Sequence, residues 1–231
     1  MCLIAIKDEG VPLTKEFYKS LARSFLLRNY HGSGFAILKK DSKTIYMRKS
    51  IYNLRELIHS IKAQNIGLDD ILVVHLRRSS GSHQSSMNTQ PMVMSNKFIQ
   101  LNKLEGFTKE DVLFHNGYIT SYDKFLPYYS DTYAFVHHFA NSKNFTKFAK
   151  SLQNKNKLGE LTKFVFHSNK VVVLSPESKL LIINEGSFIK KNGYLYSNDS
   201  FDIPKKIIEF DDSDYDRFAN ERRFFRRGFS D

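Results

Sequence analysis

Apolar residues in this chain come in short bursts set between polar turns, and this pattern limits its folds more than any other feature. The runs at 71–74 and 180–183 are four residues long. A membrane-spanning helix needs about 20 consecutive apolar residues, so none is expected. Bursts rich in Ile, Val and Leu suit buried strands. Two segments depart from the pattern with helical spacing. Within 14–27, Phe17, Leu21 and Phe25 share one face, and Thr14 stands where an N-cap belongs. Within 53–64, Leu54, Leu57, Ile58 and Ile61 line one face, and Asn53 with Glu56 has the spacing of a capping box.

Strands are expected at 2–7, 34–39, 44–48, 71–76, 98–101 and 112–115, with 41–43 as a hairpin turn. Residues 78–90 form a polar, Ser-rich loop of the kind that carries function. Helices are expected at 131–140, capped by Ser130, and at 145–153. Short strands follow at 163–167, 171–174, 179–183 and 194–196, separated by Ser-Asn, Pro-Glu-Ser and Asn-Gly turns, as in a meander of hairpins. Residues 213–226 suit a terminal helix. The class is α+β, and two packed antiparallel sheets with helices outside satisfy this order, although periodicity alone does not establish that architecture.

The chain has one cysteine, which excludes an internal disulfide framework and any multi-Cys zinc site. The His137-His138 pair lacks a carboxylate or Cys partner at ligand spacing, so no metal is expected. Nor does the sequence call for a cofactor. The start turns charged at Lys7, Asp8 and Glu9, unlike a secretory signal, so a cytoplasmic protein without membrane association is expected.

The lone cysteine is Cys2. Removal of Met1 would leave one residue carrying both a nucleophilic thiol and an α-amine. An α-amine with a pKa near 7.7–8.0 can serve as the base for its own side chain. Taken alone, Cys2 reads more readily as a small apolar residue entering a core strand.

Four strings follow in order: His75-Leu76-Arg77-Arg78-Ser79-Ser80-Gly81, Asn88-Thr89-Gln90-Pro91, His115-Asn116-Gly117-Tyr118-Ile119 and Ser130-Asp131-Thr132. With Cys2 ahead of them, they resemble the class II glutamine amidotransferases, the glutaminase domains with an N-terminal cysteine nucleophile. Gly32-Ser33-Gly34-Phe35 matches a glycine-rich strand entry of that family. Gly193-Tyr194-Leu195-Tyr196-Ser197-Asn198 resembles the closing strand of free-standing members. Position 78 is Arg where the family usually carries an aromatic residue.

The resemblance spans roughly 2–200 and implies an N-terminal-nucleophile hydrolase fold, a four-layer αββα sandwich over 2–201. A basic, helical extension would occupy 202–231. It also implies that Cys2 attacks the side-chain amide of L-glutamine, giving a γ-glutamyl thioester and ammonia. Asn116 and Gly117 would form the oxyanion hole. Arg77 would grip the α-carboxylate, Asp131 the α-ammonium, and Ser79, Ser80 and Asn88 would complete the substrate pocket. His75 and His115 are expected to orient backbone or to pack. Plainer readings stand beside these: Arg77 as a surface ion-pair residue, Asn116-Gly117 as a tight hairpin turn, and Asp131 as a first-turn helix acid.

The length leaves no space for an ammonia-consuming domain, so a separate synthetase or modification enzyme is expected as acceptor. The charge of 35 Lys and Arg against 24 Asp and Glu, net +11, fits a solvated basic face, a nucleic acid or an acidic partner. Lysines gather at 143, 147, 150, 155, 157 and 163, and 222–227 interleave arginines with phenylalanines. Two alternatives remain: an N-terminal-Cys hydrolase of another amide or γ-glutamyl compound, and an inactive nucleic-acid-binding or scaffold protein.

Overall fold

The structure, a computed structural model, describes residues 1–79, 81–95, 97–120, 122, 128–141 and 169–202. The expected segments 145–153, 163–167 and 213–226, the lysine cluster and the basic tail lie outside these residues. Of the expected 202–231 extension only Asp202 falls within them, where its carboxylate pairs with Lys191 at 2.6 Å.

Helices and strands follow the hydrophobic pattern closely in the first half. Strand β1 (Leu3–Lys7) precedes α1 (Lys15–Leu27), then β2 (Ser33–Leu38), β3 (Ile45–Ile51), α2 (Leu54–Lys62) and β4 (Ile71–Leu76). An isolated helix of α1's length is marginal in water. Tertiary burial of Phe17, Leu21 and Phe25 holds it, at about 1.5–3 kcal/mol for each fully buried side chain. Thr14 holds the N-cap position, but its side chain makes no capping bond. Its N–H and hydroxyl both meet the Tyr194 hydroxyl, at 3.1 and 3.0 Å, and that hydroxyl donates to the Pro12 carbonyl. Asn53 does cap α2, its Oδ1 accepting the Glu56 N–H at 3.2 Å. The Glu56 carboxylate turns outward to Arg48 at 2.6 Å, so the capping box is half made.

The middle brings three differences, the short strand β5 (Met92–Val93) among them. Residues 98–101 form a short helix, α3 (Phe98–Leu101), following β5. The expected strand would have put Phe98 and Leu101 on opposite faces; the helical turn buries Leu101 and leaves Phe98 and Ile99 exposed. Strand β6 (Glu105–Thr108) was not expected, because Glu-Gly-Phe-Thr has no apolar alternation. It forms by pairing with β3. Strand β7 (Val112–Asn116) and helix α4 (Asp131–Asn141) stand where expected, and Ser130 caps α4 by accepting the Tyr133 N–H at 3.1 Å.

The late strands are β8 (Lys170–Ser175), β9 (Lys179–Ile183), β10 (Ile189–Lys191) and β11 (Tyr194–Tyr196). They make two hairpins, β8–β9 and β10–β11, but not one meander. The second hairpin crosses to the other sheet, turning through Asn192 and Gly193 at φ 52° and 84°. The larger sheet runs β10-β11-β1-β4-β2-β3-β6 and the smaller β5-β7-β8-β9, with every described pairing antiparallel.

Alternate residues along β1 sort into two cores. Leu3 and Ala5 pack with α1 and α2, while Ile4 and Ile6 face Val112, Phe114, Val172 and Leu174 of the smaller sheet. On its other face the smaller sheet packs Leu113, Val171 and Val173 against Tyr133 and Val136 of α4. The fold is thus mixed α+β, built on two antiparallel sheets that share an apolar core.

Candidate active site

Cys2 stands at the head of β1, an interior strand held by β4 on one side and β11 on the other. Its Sγ accepts the Arg78 N–H at 3.3 Å and lies 3.5 Å from the Arg78 carbonyl. The Cys2 carbonyl accepts the Asn198 amide at 2.5 Å. Burial pushes the thiol above its ordinary pKa. The Arg78 N–H and the Arg77 guanidinium pull it down by less, and the Asp131 charge adds to the rise. A thiol so placed stays protonated and needs a base before it can attack.

Arg77 follows the last residue of β4 and is buried. Its guanidinium donates to the Ser82 hydroxyl at 2.6 Å, the Ser79 hydroxyl at 3.3 Å and the carbonyls of His31, Ser82 and His83. All these partners are neutral. No carboxylate lies within ion-pair distance of it among the described residues. The reading of Arg77 as a surface ion-pair residue therefore fails. A buried guanidinium bonded only to hydroxyls and carbonyls keeps a strong attraction for a carboxylate that arrives from solution.

Ser79 donates its hydroxyl to the Ser82 carbonyl at 2.5 Å and its N–H to His31 Nδ1 at 2.8 Å, folding the loop around Arg77. Ser80 lies outside the described residues. Asn88 is buried and acts as a clamp. Its amide donates to the carbonyls of His83 and Tyr128, and its oxygen accepts the Ser130 N–H at 2.6 Å. Both its N–H groups are thereby engaged by protein atoms.

Asn116 ends β7, and Gly117 follows at φ 154°. These two do not form a two-residue hairpin turn, because the partner strand β8 begins at Lys170. A Cβ at Gly117 would sit 1.7 Å from Asn169 Oδ1, so no side chain fits. Asn169 holds the next residue, accepting the Tyr118 N–H at 2.6 Å. The Asn116 amide donates to Ser197 Oγ at 2.8 Å, and its Oδ1 is buried without a partner.

Asp131 ties this turn to α4. Its carboxylate accepts the Ile119 N–H and the Thr132 N–H, both at 2.7 Å. It caps its own helix start, yet it is half-exposed and its charge reaches both Cys2 and Arg77. His115 lies beneath, with Nδ1 2.8 Å from the Thr132 hydroxyl, and Gln90 brackets its backbone N–H and carbonyl. His75 is buried with neither ring nitrogen bonded, and burial drives its pKa down to about 3. Burial also lowers the pKa of His115, against the opposing pull of the Asp131 charge.

Of the residues named from sequence, Arg77 and Asp131 act on Cys2 through their charges, Ser79 bonds Arg77, Asn88 bonds the residue before Asp131, and Asn116 is joined through Ser197 to Ile4, two residues from Cys2; Ser80 is not described. Sequence reasoning gave no role to Asn169, Ser197 or Asn198. Ser197 and Asn198 sat in a recognisable string, but their contacts with Ile4 and Cys2 arise only when β11 pairs with β1. Among the described residues no group of three or more His, Cys, Asp or Glu is placed to hold a metal, and no helix is long and apolar enough to cross a membrane. No family model matches the chain, and no curated protein matches it.

Proposed function

We propose that this chain is an N-terminal-cysteine glutaminase of the class II amidotransferase kind, releasing ammonia from L-glutamine for a separate acceptor enzyme. The observation that carries the reading is the buried Arg77 guanidinium, without a carboxylate among the described residues, beside a thiol that also feels Asp131. One cation and one anion flanking a nucleophile match the two charged ends of an amino acid. The three apolar cores, which bring helices, two sheets and a further helix together in turn, support a four-layer αββα sandwich of the N-terminal-nucleophile type over 2–201. A cytoplasmic location belongs to the same proposal.

The mechanism requires loss of Met1, which is 81% exposed. The freed α-amine then takes the thiol proton, meeting the need for a base that burial of the thiol creates. The thiolate adds to the carboxamide carbon. Asn116 and the Gly117 N–H stabilise the oxyanion, each such donor being worth about 10²–10³ in rate. Ammonia leaves with the proton returned by the amine, and water hydrolyses the γ-glutamyl thioester to glutamate, restoring the thiol. Arg77 and Asp131 hold the α-carboxylate and α-ammonium, and Ser79, whose hydroxyl meets the Arg77 guanidinium, lines the carboxylate end of the same pocket.

Intact-mass measurement joined to an ammonia-release assay tests this reading. Active protein should lack Met1, and Cys2→Ala should lose at least about 10³-fold in glutamine turnover. Met1 retained in fully active material would sink the self-activated mechanism. Labelling of Cys2 by electrophiles without any glutamine turnover would point to a different amide substrate. A salt-sensitive shift on nucleic acid, with no labelling at Cys2, would favour the basic binding protein.

A further inference from the structure

Ser197 is buried at the join of the two sheets, directly after β11. Its N–H donates to the Ile4 carbonyl at 2.9 Å and its Oγ accepts the Ile4 N–H at 2.8 Å. The same Oγ accepts the Asn116 amide at 2.8 Å. The Ser197 carbonyl accepts the ammonium of Lys170, the residue paired with Asn116 across β7 and β8. One side chain therefore joins the nucleophile's strand to the candidate oxyanion-hole residue.

The hydrogen-bond balance here is uneven. Ser197 Oγ accepts two N–H groups and donates to none of the described residues, while Asn116 Oδ1 is buried without a partner. An unmet buried acceptor costs about 1–3 kcal/mol. Turning the Asn116 amide by half a revolution fills the same volume. It sets Oδ1 against the Ser197 hydroxyl, which can then donate, and it releases both N–H groups of Nδ2.

We propose that Ser197 is a positioning residue for the oxyanion hole: its hydroxyl accepts from Asn116 Nδ2 at rest and donates to Asn116 Oδ1 when a tetrahedral oxyanion takes Nδ2. This inference rests on the amide hydrolysis proposed at Cys2. A hydroxyl suits the task because it can change from acceptor to donor by rotating one bond, leaving the backbone still. With Oδ1 held by the hydroxyl, both N–H groups of Nδ2 are available to the oxyanion, an interaction made only in the transition state and therefore one that raises kcat.

The test uses the full chain with L-glutamine, comparing wild type, Ser197→Ala and Ser197→Thr. Ser197→Ala should lower kcat by about 10- to 100-fold with KM within about 3-fold, and Ser197→Thr should recover to within about 5-fold of wild type. Alkylation of Cys2 by iodoacetamide, which builds no tetrahedral oxyanion, should proceed at the wild-type rate in both. Should alanine abolish folding, Ser197→Cys, near serine in size but a weak donor, carries the same expectation. An unchanged kcat, a rise in KM alone, or alkylation falling in step with turnover would overturn the proposal. An active wild type with unaffected variants overturns this inference alone, whereas an inactive wild type overturns the glutaminase reading beneath it.

Discussion

Gly117 shows how little freedom the site leaves to single residues. Its φ of 154° and the Asn169 oxygen 1.7 Å from a would-be Cβ leave no space for any side chain. Gly117→Ala should cost about 2–4 kcal/mol, combining backbone strain with displacement of Asn169, and the urea midpoint would register it. His75 makes a separate prediction. It is native in the neutral form, with a pKa of about 3, whereas an unfolded histidine takes its proton near pH 6.5. Below pH 6.5 the unfolded chain binds more protons than the native one, so stability falls as pH falls. This residue alone should remove about 2 kcal/mol between pH 7.5 and pH 5, and His115, also lowered by burial, adds with the same sign. Urea titrations at the two pH values should show that loss, and His75→Phe should shrink it by about the same amount. Arg77, Asn116 and Asp131 could be named as candidates because each lies in a short string, and Cys2 because of its position ahead of them. Ser197 and Asn169 could not, since a serine or an asparagine gains its role from what a distant strand brings to it.

Elements were legible where one face is apolar and both ends are marked. Helix α2 is the clearest case, with Asn53 bonded to Glu56 and Leu57, Ile58 and Ile61 turned inward. Asn53→Ala should lower stability by about 1 kcal/mol, read as a drop in Tm, and leave glutamine turnover unchanged. Helix α3 was misread because Phe-Ile-Gln-Leu favours strands in isolation, and tertiary placement overrode a four-residue preference. Strand β6 was missed for the opposite reason. Its pattern says little, and its pairing with β3 decides its state. The late hairpins were legible from their turns, but sequence does not say which sheet a hairpin joins. That choice follows from the apolar faces of β1 and β11 meeting α1.

The whole molecule is organised around the core between the sheets, where Ile4, Ile6 and Val73 meet Val112, Phe114 and Val172. Because both sheets line it, neither can lose it alone. Phe114→Ala should cost about 3–5 kcal/mol and lower the stability of both sheets together. The chain has 12 tyrosines and no tryptophan, so tyrosine fluorescence and far-ultraviolet circular dichroism should report one coincident transition. The order of the larger sheet has a further consequence in time. Strand β1 begins at Leu3, yet one of its neighbours, β11, ends at Tyr196. At about 5–20 residues per second, a nascent chain leaves that side of β1 open for roughly 10–40 s. During that interval the β11 side of β1 stays open, and the strand beside Cys2 is enclosed only when β11 arrives.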